Sequence, residues 1–378
     1  MKIYLDNAAT TQVAKEVFNS MKPYLTEKYG NASSLHSFGE EANKALTNSR
    51  KIIAEKLKAN QEEIIFTSGG TESNNLAILG IAHNYREKGN HIITTKFEHP
   101  SVLETCKALE KEGFNITYLN LNREGFINLN ELKNSINSKT ILVSIMHANN
   151  EIGTVQDLKE IYKICKSKNA IFHTDAVQSF CKADLNSEMA DLISISPHKI
   201  HGPKGIGALY VKKGIMLKKL LHGGKHEFNL RPGTENIPSA VGFAKATALI
   251  TNKDIERMSG LRNKLISEIL KIKDTWLNGS KKRLCNNANI SFKYIEGESI
   301  LMYLNEKGIA VSTGSACAAK ELKPSHVLLA IGLKQEDAHG SIRFTLSRYT
   351  TEKEIDYVIK VLPGIVKQLR EMSPFKGE

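Results

Sequence analysis

Lys199 is the residue that its neighbours best equip for covalent chemistry. It lies in LISISPHKIHGPKGIGALYV, where an apolar run predicts a buried strand and proline, histidine and glycine then enclose the lysine. Burying an ammonium is costly unless the group is neutralised or paired, so such a lysine has a lowered pKa and can form a Schiff base. A surface lysine whose stem lies along apolar groups would leave the same pattern.

A carboxylate and an amide follow another apolar run. In FHTDAVQ the run ends at Asp175, and Gln178 comes three residues later. The carboxyl ends of strands in an open α/β sheet face the crevice that binds ligands. A carboxylate there could keep the ring nitrogen of pyridoxal phosphate protonated, which makes the ring a better electron sink. The alternative for Asp175 is an ordinary helix cap.

A glycine turn in FTSGGTES predicts a phosphate site. Gly69 and Gly70 let the backbone approach a ligand closely, and Thr71 lies where the next helix begins and presents free N–H groups. No Gly-Lys-Ser/Thr follows, so this is not the phosphate loop of a nucleotide hydrolase. A glycine turn that only caps a helix is the alternative.

Two further residues suit an amino-acid substrate. His99, in FEHPS, could stack on a cofactor ring and move protons near neutral pH, or be an ordinary loop histidine. In SIRFTLSRY, Arg348 continues the face of Ile342, Phe344 and Leu346 and could clamp a carboxylate, unless the alternation breaks where the strand meets solvent. Together these features predict pyridoxal-phosphate chemistry on an amino acid.

Strand and helix patterns that could position these residues alternate along most of the chain. The runs EEIIFT, HIITT, TILVSIM, AIFHTD, LISIS and GALYV contain continuous apolar stretches and alternate with helical patterns, which indicates a mainly parallel sheet covered on both faces. After about residue 250 the order changes, and Thr351 and Glu354 form a capping box for a closing helix. We therefore predict an α/β fold with a large domain at 13–252 and a smaller α+β domain formed by 1–12 and 253–378.

Composition excludes several classes of protein. The net charge is +12, but the basic residues are distributed along the whole chain of 378 residues, which argues against a nucleic-acid partner. A basic surface could still attract an acidic protein partner. Five cysteines without a C-x-x-C pair predict neither a disulfide framework nor a metal site. No apolar run approaches the roughly 20 residues that cross a bilayer, and no signal-peptide core is visible, so we expect a cytoplasmic protein.

Ordered motifs give the chain a family resemblance almost from end to end. It resembles the cysteine desulfurases of the NifS/IscS type, a group within the class V aminotransferase family. The resemblance implies the type I fold of pyridoxal-phosphate enzymes and a homodimer whose active sites borrow residues from the neighbouring subunit. The motifs are YLDNAATT, YGNASSLHSFG, FTSGGTESNN, EHPSV, MHANNEIGTVQ, HTDAVQ, SPHKIHGPKGIGALYV, RPGTENIP, STGSACAAKELKPSHVL and SIRFTLSRYTTEKEID.

The matching motifs also imply individual roles. Lys199 would bind pyridoxal 5'-phosphate covalently, Asn31 and Arg348 would bind the substrate carboxylate, and His99 is a further candidate acid or base. Thr234 would reach the phosphate from the other subunit. The residues implied to contact the cofactor are Gly70, Thr71, His99, Asn150, Asp175, Gln178, Ser196, His198, Lys199 and Thr234.

In this family the thiol of GSACA accepts the sulfur, a role that falls here on Cys317. The small residues around it offer little side-chain packing, as a loop needs when it carries sulfur from the substrate to an acceptor. The implied reaction removes sulfur from L-cysteine, gives L-alanine and a persulfide on Cys317, and passes the sulfur to an acceptor protein such as an iron–sulfur scaffold. Without the other motifs, a small buried cysteine would be the ordinary interpretation.

Some alternatives stay open, and one segment departs from the family. Selenocysteine could be a second substrate, transamination needs no thiol, and a non-catalytic scaffold or tRNA-binding module would not need a buried Schiff-base lysine. Where the family reads GGGQERGLRxGT, this chain has GGKHEFNLRPGT, so Lys225, His226 and Phe228 replace glycine, glutamine and arginine beside Thr234.

Overall fold

The strands of the fold are short, and most of them are buried. The computed structural model describes residues 2–313 and 324–373. Its strands are β1 (Ile3–Tyr4), β2 (Ile64–Thr67), β3 (His91–Thr95), β4 (Asn115–Leu119), β5 (Thr140–Ser144), β6 (Ile171–Asp175), β7 (Leu192–Ile195), β8 (Gly207–Val211), β9 (Thr275–Leu277), β10 (Asn287–Phe292), β11 (Ile309–Ala310) and β12 (Ser341–Thr345).

Helices separate most of these strands. They are α1 (Lys15–Met21), α2 (Pro23–Thr26), α3 (Ser37–Leu57), α4 (Gly70–Asn84), α5 (Pro100–Lys111), α6 (Leu129–Ser135), α7 (Leu158–Ser167), α8 (His226–Asn229), α9 (Ile237–Leu249), α10 (Asn252–Ile269), α11 (Gly297–Glu306), α12 (His326–Ala330), α13 (Gln335–His339) and α14 (Glu352–Met372). Within the described residues, none of them is long and apolar enough to cross a membrane.

A seven-stranded sheet forms the centre of the larger part. Its strand order is β2-β8-β7-β6-β5-β3-β4, and β8 runs in the direction opposite to the other six strands. Successive residues of one strand enter different cores: Ile193 joins the cluster on one face, and Leu192 joins the cluster on the other. Because helices cover both faces, most strands of this sheet are buried at every position rather than at alternate positions.

A second core holds the smaller sheets. Strands β12, β10 and β9 form an antiparallel sheet, and β1 pairs in parallel with β11. Helices α10, α11 and α14 contribute apolar residues to this core, which also contains Ile3 and Leu5 from the beginning of the chain. The N-terminal segment therefore belongs to the smaller core before it passes to the larger part.

The predicted fold class is confirmed, because the central sheet is mostly parallel and flanked by helices. The predicted capping box of Thr351 and Glu354 opens α14. The domain boundaries after residues 12 and 252 stay a prediction.

The backbone at the start of β8 packs closely against the turn before α4, and glycine at this position makes the close approach possible. A Cβ built on Gly207 would lie 2.5 Å from the carbonyl carbon of Gly69. We predict that Gly207→Ala lowers the free energy of unfolding by about 1–3 kcal/mol, since backbone must move to admit a methyl group. Denaturant unfolding measures this loss.

Gly260 supplies the matched control. It lies inside α10, and a Cβ there would meet nothing within 4 Å. Gly260→Ala should raise the free energy of unfolding by about 0.5–1 kcal/mol, since alanine is the better helix former. Equal stabilities of the two variants would contradict the close approach.

Candidate active site

Lys199 is held by backbone carbonyl groups of the N-terminal segment. It ends a short 3₁₀ turn, Pro197–Lys199, which directly follows β7. Its Nζ donates hydrogen bonds to the carbonyl oxygens of Ala8 at 2.5 Å and Ala9 at 2.6 Å. The amine therefore has a fixed direction without a carboxylate as its hydrogen-bond partner.

The surroundings of Lys199 favour its neutral form. Burial is the main cause, the positive charges of Arg343 and Lys182 add to it, and Asp6 and Asp175 act in the opposite direction. Together these effects lower the pKa of the amine to about 7. An ordinary lysine has a pKa of about 10.4. A substantial fraction of the Lys199 amine is thus free of a proton near neutral pH and able to act as a base or nucleophile.

Asp175 and His99 are joined by a chain of hydrogen bonds. The buried carboxylate of Asp175, at the end of β6, accepts from Asn74 Nδ2 at 2.7 Å. The same amide donates to Ser101 Oγ at 2.9 Å, which lies 2.8 Å from His99 Nδ1. His99 Nδ1 also accepts from the Ser101 N–H at 3.1 Å, so the proton of the neutral ring is on Nε2.

The surroundings of His99 favour its neutral form. Burial lowers the pKa of its imidazole, and the nearby charge of Asp175 only partly offsets this effect, while Lys199 and His326 reinforce it. The ring lies at the beginning of α5, as its N-cap residue. A neutral imidazole with a fixed tautomer suits both stacking and proton transfer.

Gln178 reaches the same carbonyl group as the lysine. Its Nε2 donates to the Ala8 carbonyl oxygen at 2.9 Å. His198 lies half-buried beside the N-terminal segment, with Nδ1 3.3 Å from Thr10 Oγ1, and burial lowers the pKa of its imidazole to about 3. The structure therefore gathers Gln178, His198 and Lys199 around one segment of backbone.

The predicted phosphate residues lie on two adjacent turns. Helix α4 begins at Gly70, Thr71 in its first turn is exposed, and a Cβ on Gly69 would meet only open space. Ser196 is buried and donates to the Ile206 carbonyl oxygen at 3.2 Å. Exposed N–H groups at the start of a fifteen-residue helix suit an anion.

Thr234 lies near this turn within a single chain. It is exposed, and it lines a cavity of about 230 Å³ together with Ser68 and Gly205. Across from them, Glu72 of α4 accepts from the Ser68 N–H at 2.7 Å and pairs with Arg231 Nε at 3.0 Å. The first turn of α4 is thus bordered by the 231–234 segment.

The segment that departs from the family pattern contains a buried ion pair. Both guanidinium Nη atoms of Arg50 contact the Glu227 carboxylate, at 2.6 and 2.7 Å, and the Phe66 N–H donates to the same carboxylate at 2.8 Å. Glu227, Phe228 and Asn229 all have positive φ, at 45°, 54° and 65°. Phe228 is half-exposed and faces the Arg50 guanidinium.

Arg348 lines a small cavity together with Lys199, whereas Arg343 is close enough to lower the pKa of the Lys199 amine. Strand β12 ends at Thr345, so the alternation that pointed to Arg348 breaks before that residue. Its Nη1 donates to the Leu249 carbonyl oxygen at 2.7 Å, and its Nε lies 3.6 Å from Asp254. The Arg348 guanidinium is therefore engaged by these neighbours, and its role as carboxylate clamp stays a prediction.

Arg343 has the features that the clamp requires. It is 2% exposed, and its Nη2 contacts Asp6 at 2.9 Å while its Nη1 donates to the Asn150 carbonyl oxygen at 3.1 Å. Its Nε is buried without a partner among the described residues. The guanidinium also lowers the pKa of Lys199, so the two cations are close enough to interact.

The remaining predicted site residues have fewer contacts that bear on their roles. Asn31 is exposed, and its Oδ1 accepts from the Ser33 N–H at 2.9 Å within its own turn. Asn150 is half-buried and reaches the site through its carbonyl group. Cys317 lies outside the described residues.

The four described cysteines are buried and free. Burial raises the pKa of the Cys106, Cys165 and Cys181 thiols to about 12 and also raises that of Cys285. A thiol is nucleophilic as its thiolate. None of these four therefore qualifies as a nucleophile at neutral pH.

Sequence reasoning missed three contributors to the site. Asn74 could have been found, because it lies one helical turn after Gly70 in the motif that predicted a phosphate site. A charged residue within an apolar strand was the available signal for Arg343. The carbonyl groups of Ala8 and Ala9 left no signal, because every residue type carries one.

The residues present suit pyridoxal phosphate. They supply a desolvated amine on Lys199, a buried carboxylate on Asp175, a neutral imidazole on His99 and exposed N–H groups at the beginning of α4. These match the aldehyde, ring nitrogen, ring face and phosphate of that molecule. The open space beside Gly69 leaves room for the phosphate.

Comparison with known proteins finds whole-chain relatives. The aminotransferase class-V pattern matches residues 3–358. Cysteine desulfurase IscS of Dictyoglomus turgidum is 52% identical, over 100% of this chain and 98% of that protein. A solved NifS-like protein is 38% identical with a TM-score of 0.92, covering 98% of this chain and all of the other. SspA in complex with cysteine is 38% identical with a TM-score of 0.84, covering 93% and 100%.

Acid should weaken the fold through buried neutral imidazoles. Burial lowers the pKa of His173 to about 3 and that of His147 to about 4. Below about pH 6.5 these imidazoles bind protons in the unfolded chain but stay neutral in the folded chain. The free energy of unfolding therefore falls as the pH falls. We expect each fully buried ring to remove on the order of 1–2 kcal/mol between pH 7 and 5.

Urea unfolding at both pH values, with and without His173→Gln, measures this effect. The imidazole of His173 bridges Ser144 Oγ at 2.9 Å and Ser194 Oγ at 3.0 Å, and glutamine could span the same hydroxyl groups without titrating. The variant should lose less stability on acidification than the unmodified chain or the exposed control His222→Gln. Equal losses in all three would contradict the account.

Proposed function

The chain belongs to the class-V aminotransferase family, and we propose that it is a pyridoxal-phosphate-dependent cysteine desulfurase that converts L-cysteine to L-alanine. The observation that carries this proposal is the desolvated Lys199 amine, fixed beside the buried carboxylate of Asp175. The relatives add the substrate, since one is named a cysteine desulfurase and another was solved with cysteine.

Pyridoxal phosphate would be held through the residues already assembled. Lys199 would bind it covalently, Asp175 and Gln178 would contact the ring, and His99 would stack on the ring face. Gly70, Thr71, Ser196 and His198 would bind the phosphate. When bound, the cofactor withdraws electrons from the α-carbon of the substrate.

Lys199 is proposed to move the α-proton of the substrate. A pKa of about 7 lets the amine both accept and return a proton near neutral pH. The carbonyl groups of Ala8 and Ala9 keep the amine in one direction before and after transfer. His99 is proposed as a second acid or base, because its neutral ring has its proton on Nε2.

The substrate carboxylate is proposed to bind at Arg343 rather than at Arg348. Arg343 is buried beside Lys199, has an unpartnered Nε and is fixed by Asp6. A guanidinium offers two parallel N–H groups to a carboxylate. Asn31 stays a predicted second contact.

Cys317 is proposed to take the sulfur. Its thiolate would attack the substrate sulfur, so that a sulfur–sulfur bond forms as the carbon–sulfur bond of cysteine breaks. The carbon keeps that electron pair and gains a proton, which leaves L-alanine and a persulfide on Cys317. The raised thiol pKa values of the other four cysteines support this assignment by elimination.

A homodimer is proposed on the basis of exposed apolar side chains near the beginning of the chain. Phe18, Leu25, Tyr29, Leu35 and Phe38 are each half-exposed or more. Several large apolar groups in one part of the surface are typical of protein interfaces. In the dimer, Thr234 would extend the phosphate site of the neighbouring subunit.

The sulfur is proposed to pass to an acceptor protein, and iron–sulfur cluster assembly is the pathway that the NifS/IscS resemblance implies. A net charge of +12 suits an acidic acceptor. Four free, buried cysteines within the described residues suit a reducing compartment such as the cytoplasm. Selenocysteine stays a secondary substrate, because the same site would accept it.

Replacing Cys317 should separate sulfur transfer from cofactor binding. We expect Cys317→Ser to release neither alanine nor sulfide from L-cysteine while it keeps bound pyridoxal phosphate. Cys165→Ala, which changes a buried residue of α7, is the control and should keep most of the activity. Normal turnover by Cys317→Ser, assayed with dithiothreitol, would contradict the sulfur step.

The two arginines can be distinguished by KM. Arg343→Lys keeps a positive charge but loses the paired N–H donors, so we expect KM for L-cysteine to rise about 10- to 100-fold. Arg348→Lys should change KM by less than about threefold. A large rise in KM for Arg348→Lys alone would contradict this assignment and support Arg348 as the residue that binds the substrate carboxylate.

A further inference from the structure

Lys182 is a buried lysine that no step above uses. It is 6% exposed, and within the described part of the chain its Nζ has a single acceptor, the Lys199 carbonyl oxygen at 3.5 Å. Among residues 2–313 and 324–373, no carboxylate lies within ion-pair distance of it. Burying an ammonium without such a partner is costly, and an apolar side chain of similar length would fill the same space without that cost.

The turn that follows β6 directs Lys182 towards Lys199. The Phe180 N–H donates to the Ala176 carbonyl oxygen at 2.8 Å, and the Lys182 N–H donates to the Ser179 carbonyl oxygen at 2.8 Å. Cys181, between them, has a φ of 61°, a left-handed conformation that is uncommon outside glycine. Strain of this kind is frequent at functional sites.

The same turn reaches the Lys199 segment in two places. Gln178, four residues before Lys182, donates to the Ala8 carbonyl oxygen, which also accepts from the Lys199 amine. Lys182 itself contacts the main chain of Lys199. The turn therefore supports the lysine at its side chain through Gln178 and Ala8, and at its backbone through Lys182.

The charge of Lys182 acts on several neighbours. The titratable groups that it faces are Lys199, His198 and His201 from the turn after β7, and the Cys181 and Cys285 thiols. Burial lowers the pKa of Lys182 to about 8, so it is still mostly charged at pH 7. Its charge lowers the pKa of Lys199, as does that of Arg343, whereas Asp6 and Asp175 raise it.

We propose that Lys182 is a positioning residue whose buried ammonium holds the Lys199 turn and disfavours a second positive charge on the Lys199 amine. The proposal rests on the proposed function, because it explains how the lysine that would carry the cofactor stays ready to accept a proton. A purely space-filling Lys182 would have no influence on the titration of Lys199.

The test compares Lys182→Met with Lys182→Arg. Methionine keeps the length and removes the charge, whereas arginine keeps the charge. The first readout is the pH dependence of Lys199 acetylation by acetic anhydride in the full-length chain freed of cofactor, followed by mass spectrometry. The second is the pH dependence of the visible absorbance of the holoenzyme, which needs no turnover.

If the charge of Lys182 acts on Lys199, the titration of Lys199 should shift in Lys182→Met but not in Lys182→Arg. In Lys182→Met the midpoint for Lys199 should rise by about one pH unit, the order expected for one charge at several ångströms in a partly dry site. Lys182→Arg should titrate like the unmodified protein. Lys204→Met removes an exposed lysine from the loop that follows Lys199, and it should shift the Lys199 midpoint much less.

An unshifted midpoint in Lys182→Met would overturn the proposal, even if that variant were less stable or less active. If Lys182→Met does not fold, Lys182→Gln gives the same comparison. Failure of the proposed function would look different: the unmodified protein would bind no pyridoxal phosphate, while the acetylation readout would still report on Lys182.

Discussion

The hydrogen bonds from the Lys199 amine to the carbonyl oxygens of Ala8 and Ala9 connect the main parts of the molecule. The N-terminal segment begins in the smaller core, where Ile3 and Leu5 pack, and then crosses to the turn after β7. Backbone acceptors fix the direction of an amine without giving it a countercharge. The lysine is therefore oriented and still easy to deprotonate, which its proposed chemistry requires.

Around this amine the structure concentrates buried positive charge. Arg343 and Lys182 both lower the pKa of Lys199, and the nearby acids, Asp6 and Asp175, offset them only in part. Buried cations in a partly dry site attract anions. A phosphate and a carboxylate are the anionic groups of the proposed cofactor and substrate, and both would interact favourably with these cations.

Much of this arrangement could be predicted from the sequence, because strand ends and glycine turns leave local patterns. The α/β fold, and Lys199, Asp175 and His99 at the ends of apolar runs, follow from such patterns. Contacts between distant segments leave none. Backbone acceptors carry no residue signature, and Arg343 was overlooked because alternation along β12 favoured Arg348, although the strand ends at Thr345.

Chemical trapping of the cofactor lysine tests the central claim most directly. The holoenzyme would be reduced with borohydride, digested and analysed by mass spectrometry for a pyridoxyl-modified lysine. The account predicts a single modification, on Lys199. Modification of another lysine instead, with Lys182 as the nearest buried rival, or the absence of any modification in protein reconstituted with pyridoxal phosphate, would contradict it.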